Sequence, residues 1–153
     1  MALTTLNRRA ELNTHEKLNA KHAQFEKLIS ELNKRDIPSN ISAQINDKVD
    51  QINDFSGPIK EWGRLLRKSQ SAILKLVEKE LKLVPKGYYR MQWLALGMTI
   101  FGVPMGVAFS MALGSMAFIG LGFPIGMAIG IAIGSGKDKE AADKGNQLDL
   151  EIK

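Results

Sequence analysis

The side chains that could carry chemistry are few in this sequence, and their spacing does not assemble a reactive site. The two histidines, His15 and His22, lie seven residues apart on a predicted helix, where we assign both to its polar face. Two histidines without a third ligand seldom hold a metal ion. Glu78 and Glu80 are two residues apart and so point to different faces of a helix, as solvated carboxylates do. With no cysteine and no Walker or HExxH motif, the sequence predicts neither an enzyme nor a cofactor or metal site.

The apolar part of the chain offers even less reactive chemistry. Between Met91 and Gly134 the only side-chain hydroxyls are those of Thr99, Ser110 and Ser115, and no side chain there is ionisable. Coupled transporters use buried ionisable groups to bind ions or relay protons, so the sequence disfavours that class. A pore lined by backbone, small residues and hydroxyls stays open.

The distribution of charge divides the chain near residue 90. The whole chain has a net charge of +5, yet residues 93–136 include no charged residue, histidine, asparagine or glutamine. Met91–Gly114 and Met116–Gly134 are each close to the roughly 20 residues with which a helix crosses a hydrocarbon core. Because Gly114 and Ser115 offer a turn between them, we predict a transmembrane helical hairpin.

Two stretches of this apolar segment, GVPMGVAFSMALGS and GFPIGMAIGIAIGS, repeat one pattern of small residues twenty positions apart. On a helix these small residues recur every fourth position and form a stripe without bulky side chains, which lets two backbones approach closely. We interpret the stripes as the helix-packing and oligomer interface. Their members are Gly102, Gly106, Ser110 and Gly114 in the first stretch and Gly122, Gly126, Gly130 and Gly134 in the second.

By these residues the segment from about Gly97 to Gly136 resembles glycine-zipper membrane proteins, a grouping of small hairpin and channel-forming proteins whose spans carry GxxxGxxxG. The resemblance implies tight helix packing and often an oligomeric pore, and it does not extend to the first 90 residues. Alanines off the stripes, Ala108 with Ala112 and Ala128 with Ala132, give each helix a second small face. Such a helix can pack against its hairpin partner and against another subunit, so we expect a homo-oligomer.

The same residues also alternate small and large with a period of two, which is a strand pattern. A strand of a membrane barrel needs only about nine to eleven residues, so the length of the repeat fits. Against strands, the segment offers no long loops, its small face is not a polar lumen, and methionine and alanine are poor strand residues. Strands stay an alternative. So does a hairpin buried in a large soluble complex, because a soluble domain of this size could not bury two such helices by itself.

The N-terminal half predicts three amphipathic helices, at about 3–34, 41–55 and 59–83, separated by breaks at Pro38 and Pro58. The third has the most regular stripe, which we interpret as the seam of a packed bundle or helical stalk, with a self-associating coiled coil as the alternative. The positions of that stripe are Ile59, Trp62, Leu66, Ser69, Ile73, Leu76, Glu80 and Leu83.

The predicted fold class is therefore an all-α membrane protein, with N-terminal amphipathic helices followed by a two-span hairpin. We divide it into a cytoplasmic helical or coiled-coil domain at 1–88, the transmembrane hairpin at 89–136 and a polar tail at 137–153. Pro104 and Pro124 follow the first glycine of each stretch, where each would bend its helix or act as a gating hinge.

Basic residues flank the apolar segment on both sides, and its turn has none. By the positive-inside rule the chain is then an integral protein of the inner or plasma membrane with both termini in the cytoplasm. The basic excess over residues 60–90 favours anionic lipids as a partner, and we do not expect nucleic acid. The side chains that we assign to the membrane interface are Lys86, Tyr88, Tyr89, Arg90, Trp93 and Lys137.

From the sequence we expect an oligomeric channel or pore assembled through the glycine stripes, with the cytoplasmic helices serving assembly or regulation. One alternative is a non-conducting anchor or scaffold that clusters a coiled-coil module and recruits a protein partner through its N-terminal helices. A membrane-permeabilising effector is a further alternative.

Overall fold

The computed structural model describes residues 2–152, which form two compact units. The helical unit contains residues 2–84 and 148–152, and the hairpin unit contains residues 85–147. The chain is mostly helical, as predicted. Its five main helices are α1 (Glu16–Asn33), α2 (Ser39–Asn53), α3 (Ile59–Leu81), α4 (Tyr88–Leu113) and α5 (Met116–Asp143).

Prolines set the starts of α2 and α3, as the sequence indicated. Pro38 and Pro58 precede these helices with extended ψ angles of 144° and 145°, and their carbonyls accept the first helical hydrogen bonds. A proline is well tolerated at this boundary because its missing N–H would have no partner inside the helix. At the other end of α3, Lys82 adopts a left-handed φ of 57° and stops the helix.

The first predicted helix is shorter than expected, and this part of the prediction was wrong. Residues 2–9 form no helix, Ala10–Thr14 form one short 3-10 turn, and α1 begins only at Glu16. Leu3, Leu6 and Leu12 are all buried. Their side chains anchor this irregular segment to the core, and it does not extend the axis of α1. Main-chain groups of this segment pair instead with side chains of α1 and α2, such as those of Asn33 and Asn46.

The helical unit has a core of large apolar side chains from all three helices. Phe25, Ile45 and Leu66 are fully buried, and Leu148 and Leu150 near the C-terminus join the same cluster. The buried face of α3 departs from the predicted stripe near its end. Val77 is buried there, whereas Glu80 is exposed.

His22 does not lie on a polar face, contrary to prediction. Its side chain is 2% exposed, and its ring stacks against that of Trp62 with 6.0 Å between centroids. Both ring nitrogens have partners, the carbonyl of Asn7 at 3.3 Å and the carboxylate of Glu26 at 3.2 Å. Both partners are acceptors, and the neutral ring has one N–H, so in that form it donates to one of the two. His15, the other histidine, is exposed as expected.

The structure also contains two short strands that the all-α prediction lacked. β1 (Val84–Lys86) and β2 (Gln147–Glu151) pair as a two-stranded sheet. In the helical unit, β2 is held to α1 by side chains: the Asp149 N–H donates to the Glu31 carboxylate, and the Gln24 amide donates to the Glu151 carbonyl. No local sequence pattern announces such long-range partners.

The hairpin unit turns where the sequence placed the turn. Gly114 ends α4 with a left-handed φ of 67°, a conformation that glycine adopts without a Cβ penalty. Ser115 then starts α5 by accepting a hydrogen bond from the Ala117 N–H at 3.3 Å. At its far end α5 continues to Asp143, beyond the polar boundary assigned at residue 136.

Candidate membrane hairpin

Both helices of the hairpin unit are long and apolar enough to cross a membrane. α4 has 26 residues and α5 has 28, and only 22% and 17% of their most apolar windows are buried by protein. The core helix of a soluble protein is mostly buried, so these two helices differ from it. We refer to the pair, Tyr88–Asp143, as the hairpin.

The glycines of the two repeated stretches face one another across the hairpin. A Cβ atom placed on Gly126 would lie 2.6 Å from both the Gly102 nitrogen and the Gly97 oxygen, closer than real Cβ atoms approach. On Gly122 it would lie 2.8 Å from the Gly106 Cα atom. These helices therefore meet through main-chain atoms, an approach that any side chain on this face would prevent.

The contact continues to the open end of the hairpin, where α4 contributes main chain that is not glycine. A Cβ atom on Gly130 would lie 2.8 Å from the Trp93 carbonyl carbon, and one on Gly134 would lie 2.5 Å from the Arg90 Cα atom. At this end α5 thus supplies the glycines, whereas near the turn Gly106 of α4 meets the main chain of Ile119, which is not glycine.

Gly97 belongs to this contact face, although the four-residue stripes predicted from the sequence do not include it. A Cβ atom there would lie 2.7 Å from the Gly130 Cα atom. Gly97 precedes Gly102 by five residues, so a strict four-residue step misses it. The five residues Met98–Gly102 form a wide π turn, which keeps both glycines on one face. The available signal was Pro104, since proline cannot donate to the carbonyl four residues before it and so favours such a turn.

Two members of the predicted stripes do other work. Gly114 has no atom within 4 Å of a Cβ position and serves the turn through its positive φ. Ser110 is 7% exposed, and its hydroxyl lies 3.3 Å from the Met116 sulfur. The close main-chain contact therefore stops before the turn and leaves room for one small side chain.

Both prolines stand where a helix changes type. Pro104 lies in the first turn of the α-helical stretch Val103–Leu113, after the π turn, and Pro124 lies in the first turn of Gly122–Asp143, after the 3-10 turn Met116–Leu121. Because a proline has no N–H to donate to the carbonyl four residues before it, a change of helix type is expected close to it. Their role as hinges stays a prediction.

The outer surface of the hairpin consists of large apolar side chains. Met111 is 79% exposed and Met116 is 76% exposed, at the turn end of the two helices. Others lie along both helices, so the hairpin is inverted relative to a soluble domain, with small residues inside and large ones outside. These are Leu96, Ile100, Val103, Val107, Leu121, Phe123 and Ile131.

The open end of the hairpin carries a cap and an aromatic cluster. The Asp138 carboxylate accepts hydrogen bonds from the Tyr89 N–H at 2.9 Å and the Arg90 N–H at 3.0 Å, so α5 caps the N-terminus of α4. The Lys137 ammonium lies 5.8 Å from the centre of the Trp93 ring, within cation–π range. The sequence predicts Lys137, Trp93, Tyr89 and Arg90 at the interface but not Asp138, which has no motif around it.

Tyr88 and Tyr89 pack edge to face, with ring centroids 5.3 Å apart. The Tyr88 hydroxyl accepts a hydrogen bond from the Gln92 amide at 2.8 Å. Arg90 and Lys86 are exposed. The six predicted interface residues thus lie at or next to one end of the hairpin, the end at which it leaves its apolar segment.

The hydroxyls of the hairpin are used locally. Thr99 donates to carbonyls of its own helix, Leu96 at 3.0 Å, and Ser115 caps the start of α5. Among residues 2–152, no three acidic, histidine or cysteine side chains are placed to hold a metal ion. What the arrangement supports is close helix packing with an apolar exterior.

Comparison with known proteins adds no information about the hairpin. No protein-family model matches the chain, and neither curated proteins nor solved structures give a significant match.

Proposed function

We propose that this protein is an integral membrane protein whose hairpin is an anchor for the helical unit. The observation that carries the proposal is the apolar exterior of α4 and α5. Only 22% of the most apolar 18-residue stretch of α4 is buried, and only 17% of that of α5. Soluble monomers rarely expose contiguous apolar patches beyond a few hundred Å², whereas lipid tails solvate such a surface. An anchor of this kind inserts both spans and returns the chain to the side from which it entered.

The interior of the hairpin favours an anchor over a pore within one chain. The glycine stripes are in main-chain contact, so they leave no passage between the two helices. The hydroxyl of Thr99 is satisfied by its own helix, and no ionisable side chain lies between Met91 and Gly136. A conducting path would have to form between copies of the chain.

Membrane insertion is tested by alkaline extraction of membranes from cells that make the full chain. We expect the wild type to stay in the membrane pellet. Replacing Ile100 and Ile131 with lysine should release a large fraction, because each charge costs about 3 kcal/mol at the centre of a spanning helix. Ile100→Leu with Ile131→Leu is the matched control and should stay in the pellet. A wild type that alkaline buffer extracts completely would overturn the proposal.

Orientation is tested with single cysteines, since the chain has none of its own. Ala117→Cys marks the turn and Ala142→Cys marks the end of α5, and both positions are exposed. In right-side-out vesicles a membrane-impermeant maleimide should label the turn and not the α5 end. In inverted vesicles the pattern should reverse, because the cytoplasmic side, on which we expect both termini, then faces outwards. Labelling of both positions from one side would contradict a spanning hairpin.

A second candidate, an oligomeric pore, is favoured by a second small face. Ala108, Ala112, Ala128 and Ala132 are all exposed, because the glycines and not the alanines form the hairpin contact. Small faces are the surfaces by which helices associate in lipid. Ala108→Leu with Ala128→Leu should then reduce crosslinked oligomers in detergent, whereas Met111→Leu should not.

Purified protein also allows a test that distinguishes a pore or permeabilising protein from a non-conducting anchor. Purified protein reconstituted into vesicles loaded with a small dye should leave the dye inside if the chain is an anchor. Leakage that rises with protein load and falls in the Ala108→Leu, Ala128→Leu variant would support the pore. Vesicles that stay tight at high protein load would exclude it. Vesicles with and without anionic lipid test the predicted preference of the basic segment for anionic headgroups.

A further inference from the structure

The exposed side of α3 carries a row of basic side chains, which continues just past the end of the helix and which we call the basic face. Its members recur three, four and seven residues apart, so they lie along one side of the helix. Trp62, Leu66 and Ile73 are buried on the other side. The members of the basic face, all of them exposed, are Lys60, Arg64, Arg67, Lys68, Lys75, Lys79 and Lys82.

Few carboxylates compensate the charge of the basic face. Residues 59–82 contain seven basic residues and only three acidic ones. The acidic residues are Glu61, Glu78 and Glu80. Among the described residues of the chain, Lys79 alone of the basic face forms an ion pair, with the Glu80 carboxylate at 3.4 Å. Most of the charge on this side of α3 is therefore not neutralised by the protein.

The other two helices of the helical unit have no such excess of basic residues. α1 contains three basic and three acidic residues, and α2 contains one basic and two acidic residues. Where α1 exposes Lys17 and Lys27, a glutamate directly precedes each of them, at Glu16 and Glu26. An ordinary solvated surface mixes both signs in this way, so the basic face differs from the rest of the same unit.

The composition of the basic face favours a diffuse anionic surface over a nucleic acid. Five of its seven members are lysines, which act as mobile point charges, whereas the arginine fork suits phosphates at fixed positions. Trp62, the only aromatic residue in the sequence of α3, is buried and cannot stack on a base. At 1.5 Å per residue the row is about 30 Å long, enough to contact several lipid headgroups at once.

The chain connection keeps the basic face close to the proposed membrane. Six residues, 82–87, join the end of α3 to the start of α4. A fully extended chain of that length spans about 25 Å at most. The end of the basic face therefore stays within that distance of Tyr88, where we propose that the chain enters the bilayer. Anionic lipids give the cytoplasmic leaflet its negative potential, and this is the side on which we expect both termini.

We infer that the basic face binds the anionic headgroups of the membrane that holds the hairpin, so that α3 lies along the bilayer surface. The inference rests on the proposed membrane anchor and adds to it a second contact, which depends on charge instead of apolar area. Each lysine or arginine close to such a surface strengthens binding about fivefold. The attraction depends on salt, because ions screen exposed charges beyond about 8 Å at physiological ionic strength.

The test reconstitutes the full chain in vesicles of phosphatidylcholine, alone or mixed with phosphatidylserine, with a quencher attached to some headgroups. Ser71→Cys places a fluorophore at an exposed position within the basic face. Quenching should be stronger in the anionic vesicles, and about 1 M salt should abolish the difference, because the screening length then falls to about 3 Å. Ala43→Cys, exposed on α2, is the reference for quenching unrelated to the basic face.

Two double variants remove the same charge from two different helices. Arg64→Gln with Lys68→Gln should lower the ratio of docked to free protein at least about tenfold, because two charges of the basic face are lost. Lys17→Gln with Lys27→Gln, on α1, has the same net charge and should change this ratio by less than about twofold. Glutamine is about as good a helix former as lysine and arginine, so both variants should keep their helices.

The outcomes separate this inference from the anchor on which it rests. Flotation with neutral vesicles tests the anchor, and protein that does not float with them would overturn the anchor and the inference together. Protein that floats with both kinds of vesicle but is quenched equally in both would overturn the inference and leave the anchor. Equal losses of quenching in the two double variants would do the same, since net charge and not the basic face would then be responsible.

Nucleic acid is the remaining occupant to test. In neutral vesicles at physiological salt, labelled RNA should not bind the wild type. RNA that binds the wild type but not the variant with Arg64→Gln and Lys68→Gln would assign the basic face to nucleic acid and overturn the inference.

Discussion

The helical unit buries its large side chains, whereas the hairpin unit exposes its own. In the helical unit, Phe25, Ile45 and Leu66 are fully buried, and the helices are kept apart by the side chains between them. In the hairpin, Gly102 and Gly126 bring main chains into contact, and large side chains such as Met111 point outwards. The units share one secondary structure and differ in what lies between the helices.

This difference agrees with our proposal that the hairpin lies in lipid and the helical unit in water. In water, burial of apolar area drives helices together, at about 25 cal/mol per Å². In lipid that drive is absent, so close van der Waals contact between small residues takes its place. The comparison yields a rule for mutations: the helical unit should be weakened by removing side-chain volume, and the hairpin by adding it.

The largest expected effect is loss of a core side chain from the helical unit. Phe25→Ala leaves a cavity where the ring was fully buried, and it should lower the free energy of unfolding by about 3–5 kcal/mol. Urea unfolding followed by circular dichroism measures the change. Lys27→Ala, at an exposed position of the same helix, should stay within about 0.5 kcal/mol. Equal midpoints for the two variants would show that α1 does not contribute to a packed core.

The next effect comes from adding a side chain to the hairpin contact. Gly126→Leu places atoms where the main chain of Gly97 and Gly102 already lies, and it should cost about 1–3 kcal/mol or part the helices. Thermal unfolding in detergent and hydrogen exchange of α4 report the loss.

The matched control for that variant is Gly136→Leu, on the same helix. A Cβ atom at Gly136 meets nothing within 4 Å, so no clash is expected. If both variants unfolded alike, main-chain contact would not be what holds the hairpin together.

A smaller effect should follow from removing the cap at the open end of the hairpin. Asp138→Ala leaves the Tyr89 and Arg90 amides without their carboxylate, which should cost about 1 kcal/mol. Faster hydrogen exchange at those two amides is the readout. Asp138→Asn keeps one oxygen acceptor and should fall between the alanine variant and the wild type. An alanine variant with unchanged exchange would rule out a stabilising cap.

Acid should weaken the helical unit through Glu31. Hydrogen bonds from Lys34 and from the Asp149 N–H hold the pKa of this carboxyl below its ordinary value, the Lys34 bond being the larger cause. Because the folded pKa is the lower one, the unfolded chain takes up the proton first. The stabilisation is present above the unfolded pKa and is lost as pH falls through the folded one.

The measurement for Glu31 is the urea midpoint of the wild type and of Glu31→Gln over that range of pH. The wild type should be the more stable at neutral pH, and the difference should shrink on acidification. A difference that stayed constant down to strongly acidic pH would contradict the assigned ion pair.

The smallest expected effect is at the outer face of the hairpin. Met111 is 79% exposed, so Met111→Ala should change the stability of the hairpin in detergent by no more than about 0.5 kcal/mol. The same substitution type in the core of the helical unit costs several times as much. A large loss at Met111 would mean that another molecule covers this face.

Local patterns sufficed for much of the fold. Pro38 and Pro58 predicted the starts of α2 and α3, and Gly114 predicted the turn of the hairpin. Such features depend on a few neighbouring residues, which is why sequence alone resolves them. The path of residues 2–9, the pairing of β2 and the burial of His22 depend on partners far along the chain, and no local pattern predicts them.

The candidate site was predictable in part. The four-residue step identified Gly122, Gly126, Gly130 and Gly134, which all lie in the hairpin contact. It missed Gly97, because a π turn changes the number of residues in one turn of α4. Ser110 and Gly114 continue the pattern, yet the close contact does not reach them.

The sequence by itself determined that this chain has two parts of different composition. One is a set of amphipathic helices, and the other is a pair of uncharged apolar helices with small residues at helical spacing. Tertiary structure alone decided which surfaces meet: glycine against main chain inside the hairpin, alanine left exposed, and the main chain of residues 3–7 held by asparagines from two helices. The physical reason is that periodicity is a property of one helix. The choice of partner is a difference in free energy between competing contacts, and it exists only once the chain has folded.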